Sequence, residues 1–117
     1  MNGNFFSIVH LSVAMMPVII ISTFPDKKTI TKIANQLVKK KLTACVNITK
    51  ISSVYSWKGK IENQSEYLAL FKTSKKNQSI LKKELKKLHP YDVPEIAEIN
   101  IDSINQPYMK WLMDSTL

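Results

Sequence analysis

Arginine is absent from this chain, although it carries 17 basic residues against nine acidic ones and a formal charge of +8. Arginine supplies the planar fork that reads guanine edges and grips phosphates, so sequence-specific nucleic-acid recognition has little to work with here. Its absence also removes the anion cradle that acylphosphatases build on small α+β folds. One cysteine excludes an internal disulfide, and with only two histidines no zinc-finger-type site fits inside one chain. The two glycines, Gly3 and Gly59, give no glycine-rich phosphate loop. No long apolar run is present: the stretch up to Phe24 is interrupted by His10, Ser12 and Pro17, which argues against a membrane helix. Ser12-Val13-Ala14 resembles a small-residue cleavage site, but no lysine precedes the apolar run Phe5 to Val13. A signal peptide is therefore not expected, and the cytoplasm is the expected compartment.

What is present reads as one domain of 117 residues. Residues 1–16 are expected to be a weakly ordered N-terminal extension and 17–117 the folded domain. Val18-Ile19-Ile20-Ile21 is a short β-branched run suited to a central strand covered on both faces. Asp26 is placed to cap a helix whose apolar stripe is Ile30, Ile33, Ala34, Leu37 and Val38, with Lys39-Lys40-Lys41 at its C-terminal end. From Thr43 the period changes to two. One strand runs to Trp57 with an irregularity expected near Ser52-Ser53, Lys58-Gly59 turns the chain, and Ile61 to Thr73 returns. These strands are long for so small a domain. They form an arm tipped by Tyr55, Trp57 and Gly59, and protruding aromatic ribbons usually bury themselves in a neighbour. Ser74 is expected to cap a second helix, Lys75 to Leu88, and Ile96 to Ile101 to form the last strand. Asn105-Gln106-Pro107 opens a short helix with Tyr108, Trp111 and Leu112 on one side.

Between second helix and last strand lies Leu88-His89-Pro90-Tyr91-Asp92-Val93-Pro94-Glu95. Two prolines end the helix and push His89 and Val93 toward extended backbone. A histidine, a tyrosine and two carboxylates gather at this stiff turn. His89 with Asp92 or Glu95 has the donor chemistry for a borderline divalent ion; its alternative role is to fix the turn. Cys45 is open to three readings: ligand, buried hydrophobe or redox-sensitive thiol. No nucleophile arrangement is supported by one cysteine and two histidines, so an enzyme is not expected. Val18 to Ile21 carries no aromatic for stacking RNA bases.

The order β-α-β-β-α-β-α is the split βαβ, ferredoxin-like arrangement, an α+β sandwich whose open sheet face lacks a cover. Thr23-Phe24-Pro25-Asp26, Leu42 to Asn47, Tyr55-Ser56-Trp57-Lys58-Gly59-Lys60-Ile61, Leu70-Phe71-Lys72-Thr73, Leu88 to Pro94 and Tyr108 to Leu112 resemble the CutA family of divalent-cation (copper) tolerance proteins. The resemblance spans about Val18 to Leu112. It implies a homotrimer with arm strands pairing between subunits, and a non-enzymatic role in copper or other divalent-metal handling without an organic cofactor. It makes His89, Cys45 and Asp92 the candidate metal ligands and places Tyr55, Trp57, Lys72 and Tyr91 at an inter-subunit cleft. Some bacterial members have a cysteine where this chain has Ser22, and a histidine pair where it has Leu88-His89. A second reading is a small-molecule or nucleotide sensor like the PII-type signalling trimers, acting through inter-subunit clefts.

Overall fold

Prolines and β-branched residues set the first element of the structure, a computed structural model that describes residues 13–117. Strand β1 (Pro17–Phe24) sits in the middle of a four-stranded antiparallel sheet of order β2-β3-β1-β4. Strands β2 (Cys45–Trp57) and β3 (Lys60–Ser74) form the long hairpin, and β4 (Ala97–Asn100) pairs with the other edge of β1. Helices α1 (Lys27–Lys39) and α2 (Gln78–Leu88) fill the crossovers, and α3 (Gln106–Asp114) follows β4. This is the split βαβ, ferredoxin-like α+β fold expected from the element order.

Alternation along β1 fixes the core. Val18, Ile20, Ser22 and Phe24 are buried, while Ile19, Ile21 and Thr23 are only half-buried. The buried set meets Phe71 and Ala69 of β3, Ile30, Ile33 and Leu37 of α1, and Leu81 and Leu85 of α2. The expectation that β1 is covered on both faces holds for one face in a single chain. Ile19, Ile21, Leu68 and Leu70 lie on the other, and Ile99, directly opposite Ile19, is 48% exposed.

Local chemistry explains the helix ends. Asp26 caps α1 as expected, its Oδ1 accepting the Thr29 N–H at 2.7 Å. At the other end Lys41 adopts a left-handed φ of 60°, the Lys41 N–H donates to Val38 O, and Leu42 N–H reaches Leu37 O at 3.1 Å. That is a Schellman closure, clamped by Leu37 and Leu42 in the core. Val38 does not join the stripe; it is 41% exposed. Helix α2 starts three residues later than expected, and Ser74 is not its cap. The Lys75 and Lys76 amides donate instead to the Met16 and Ala14 carbonyls, and residues 75–77 form a turn, closed by the Asn77 N–H on Ser74 O, before the helix begins. Those bonds also tie residues 14 and 16 to the domain, whereas the expectation for residues 1–12 lies outside the described residues.

The hairpin register is unbroken from Cys45↔Lys72 to Trp57↔Lys60, so the irregularity expected at Ser52-Ser53 is not there; Ser52 faces Ser65 and Ser53 faces Gln64. Lys58 (φ 51°) and Gly59 (φ 78°) close it as a two-residue turn with both residues left-handed, matching strand twist. The arm makes the molecule long, with extents of 58 × 30 × 24 Å and a radius of gyration of 16.4 Å. A compact chain of this length has about 13 Å.

Candidate functional site

The proline-rich turn folds back onto the root of the arm. After α2 stops at Leu88, His89 takes the extended conformation that Pro90 demands (φ −68°, ψ 135°), with its N–H donating to Leu85 O. Its ring stacks on Phe24 at 4.3 Å between centroids. Nδ1 accepts the Tyr91 N–H at 3.1 Å, so the ring proton resides on Nε2, which lies 3.0 Å from Ser22 Oγ. Burial pushes His89 below its ordinary 6.5, opposed by a hydrogen bond to the Thr23 backbone and by the charge of Glu66. Both imidazole nitrogens are thus committed to holding the turn.

Tyr91 carries the turn to β3. Its hydroxyl donates to Glu66 Oε2 at 2.8 Å, and Glu66 is 8% exposed. Burial, with the Glu66 hydrogen bond and charge beside it, drives the Tyr91 hydroxyl well above the ordinary phenol range. The phenol remains a donor at any physiological pH.

Between this turn and the open face of the arm lies a cleft of about 890 Å³. Tyr55, Trp57, Tyr91 and Asp92, all expected at a site, line it together with Glu62 and Glu66. Tyr55 is held by its hydroxyl, which donates to Gln64 Oε1 at 3.0 Å, while Trp57 at the tip is 49% exposed. Lys72, expected in the cleft, is not part of its lining; its Nζ lies 5.5 Å from the Tyr108 ring on α3. Gly59 serves the turn and not the cleft. Cys45 is half-buried opposite Lys72 in the register, and its thiol finds only Asn47 Oδ1 at 3.9 Å. Among the described residues no three His, Cys, Asp or Glu side chains converge as a metal site. His89, Cys45 and Asp92 therefore do not form a ligand set within one chain.

The family's model, CutA1 divalent ion tolerance protein, matches residues 18–115. The chain belongs to the CutA1 family. A divalent-cation tolerance protein CutA from Pyrococcus horikoshii is 41% identical over 99 residues, covering 85% of this chain and 97% of the relative. The crystal structure of CutA1 from Oryza sativa superposes with a TM-score of 0.85 at 36% identity, covering 91% of this chain and 98% of that one. A CutA relative from Arabidopsis thaliana, named as chloroplastic, is 38% identical over 100 residues, 85% of this chain and 55% of that protein. CutA1 membership assigns the chain to divalent-cation tolerance. Another solved relative, from Archaeoglobus fulgidus, is named as periplasmic, and among the described residues no helix is long and apolar enough to cross a membrane. Two further residues complete the site: Ser22, named from sequence only as standing in place of a family cysteine, is the partner of His89, and Glu66, which the sequence reading passed over, is the partner of Tyr91.

Proposed function

We propose that residues 17–117 work as a homotrimer that binds divalent cations, copper among them, in clefts closed by neighbouring subunits, without catalysing a reaction and without an organic cofactor. One observation carries this reading: the surface left unfinished by a single chain. Val54 is 68% exposed, Ile61 69% and Trp57 49%, all on an arm that extends beyond β1 and β4. The apolar open face around Ile19, Ile21 and Ile99 is continuous with the arm's root, and the outer edge of β2 offers unpaired backbone groups. Three copies exchanging arms cover both.

The donor chemistry agrees with sharing. One chain brings together no closed set of ligands, and the His89 lone pair at Nδ1 is spent on Tyr91. An ion is then met by donors from more than one chain, with Asp92 at the cleft and Cys45 on the sheet face as the contributions from each. Light scattering at micromolar protein tests assembly, and titration calorimetry with copper, zinc and ATP tests the ligand. A trimer that binds copper or zinc is expected. A monomer removes the shared cleft, and nucleotide binding without metal binding turns the reading to the sensor class.

A further inference from the structure

The charge of this chain is sorted by element. Residues 26–41 and 75–88, which contain α1 and α2, carry twelve of the 17 lysines and only two carboxylates, Asp26 and Glu84. The rest of the chain has five lysines and seven carboxylates, so a lysine-rich composition alone does not explain the imbalance. Ion pairs take up three of the twelve, Lys40 on Glu84 and Lys75 and Lys82 on Glu98; the other nine have no carboxylate within 4.0 Å among the described residues. At about 100° per residue, Lys28, Lys32 and Lys39 fall on one line along α1, opposite the buried Ile30, Ile33, Ala34 and Leu37. On α2, Lys83, Lys86 and Lys87 lie opposite the buried Leu81 and Leu85 in the same way. Helix stability does not ask for this arrangement. Neither helix has an acidic residue in its first turn, and Lys27 and Lys28 set positive charge at the positive end of the α1 dipole. Lys28 and Lys32, and again Lys83 and Lys87, are like-charge neighbours at i,i+4, a spacing that weakens a helix.

We infer that the α1–α2 layer binds double-stranded nucleic acid through its phosphate backbone, without reading sequence. Charge complementarity carries this: two outward rows of lysine meet a polymer that bears one negative charge per about 1.7 Å of its axis. Lys28, Lys32 and Lys39 are spaced about 6 and about 10 Å along α1, so one helix reaches several phosphates. Bases go unread because the chain has no arginine and neither helix holds an aromatic residue. The lack of aromatics also selects the duplex over a single strand, whose bases are held by stacking on aromatic rings. An anionic membrane is the weaker match. Helices that lie on membranes turn an apolar face outward, whereas the apolar faces of α1 and α2 form the core, and Val38 and Ile80 are the large apolar side chains left exposed on them. The layer is open in a single chain and stays outward in the proposed trimer, so the inference needs neither assembly nor a metal.

The test is fluorescence anisotropy of the full-length protein on a labelled DNA duplex of about 30 base pairs, with NaCl varied from about 25 to about 100 mM. Saturable binding is expected, equal for duplexes of unrelated sequence and weaker for a single strand of the same length. Log affinity should fall against log salt with a slope of about −5 when the six outward lysines engage phosphates. The double variant Lys28→Gln, Lys32→Gln should make that slope shallower by about two and weaken binding about tenfold or more at the lowest salt. Lys58→Gln with Lys110→Gln removes the same charge from the arm tip and α3, and should leave the slope unchanged. No saturable binding up to about 100 μM protein at the lowest salt overturns the inference. An equal loss in the arm and α3 variant overturns it as well, since net charge and not the helix layer would then be responsible. A single strand that binds as tightly as the duplex does the same. So does tighter binding, at the same salt, to vesicles containing about 30% phosphatidylserine, which would make the partner a membrane surface.

Discussion

His89 has both ring nitrogens engaged, Nδ1 by the Tyr91 N–H and the Nε2 proton by Ser22, so a second proton finds no acceptor. It would face an N–H at 3.1 Å and break the bond that shapes the proline turn. Burial lowers the folded-state affinity for that proton, whereas the unfolded chain takes it up near 6.5. Below that pH the unfolded state binds more protons, so stability falls as pH drops from about 7 toward 5.5. His89→Asn can keep an acceptor for Tyr91 N–H and has nothing to titrate. The thermal midpoint of that variant should stay flat across the window in which the parent's declines. Ser22 gives a second prediction. Its hydroxyl lies 3.0 Å from His89 Nε2 on the buried side of β1, so Ser22→Cys places a thiol beside an imidazole. Copper(I) prefers that pair, and affinity should rise by more than about tenfold in competition with a chromophoric chelator. Unchanged affinity would show that the turn holds His89 too firmly to ligate.

The hairpin arm separates two kinds of stability. Gly59 sits at φ 78°, and a Cβ built there meets nothing within 4 Å. Gly59→Ala therefore costs only the left-handed backbone term, about 1 kcal/mol, seen in chemical denaturation without loss of trimer mass. Trp57, two residues before, should do the reverse. In the proposed trimer its burial against a neighbour is worth about 3–5 kcal/mol, so Trp57→Ala should weaken assembly a hundredfold or more with the domain still folded, as light scattering on dilution would show. The arm was readable from sequence because period-two alternation and a Lys-Gly turn are local signals, although the break expected at Ser52-Ser53 is absent from the pairing. The start of α2 was not readable, since the acceptors of the Lys75 and Lys76 amides are carbonyls some sixty residues upstream. Distance also hid part of the site. His89, Tyr91 and Asp92 stand out as a cluster in the chain; Ser22, 67 positions from His89, was marked only by the resemblance, and Glu66, 25 positions from Tyr91 on a strand with ordinary neighbours, was not marked at all.

At the scale of the whole molecule, most of the charge lies on the helix side of the sheet. The lysines crowd α1 and α2 and their flanks, while the apolar face of Ile19, Ile21 and Ile99 lies across the sheet and the exposed Val54 and Ile61 of the arm share the register face of Ala69 and Phe71. An assembly of three that buries the sheet faces turns the helices outward and carries a net charge of +24, with most of its lysines on that outer side. In-chain ion pairs do little to offset this, because three of the four involve side chains that water screens well. Repulsion between these outer sides therefore opposes assembly, and the apolar contact has to exceed it. Raising NaCl from about 0.01 to about 0.1 M shortens the screening length from about 30 to about 10 Å, less than the width of a subunit. Repulsion between neighbouring helix layers is then largely removed, while burial of the arms is untouched. The thermal midpoint should rise by several degrees over that range, and trimer mass should persist to lower protein concentration. A midpoint that falls with salt would mean that ion pairs between subunits, and not the aromatic arms, hold the three copies together.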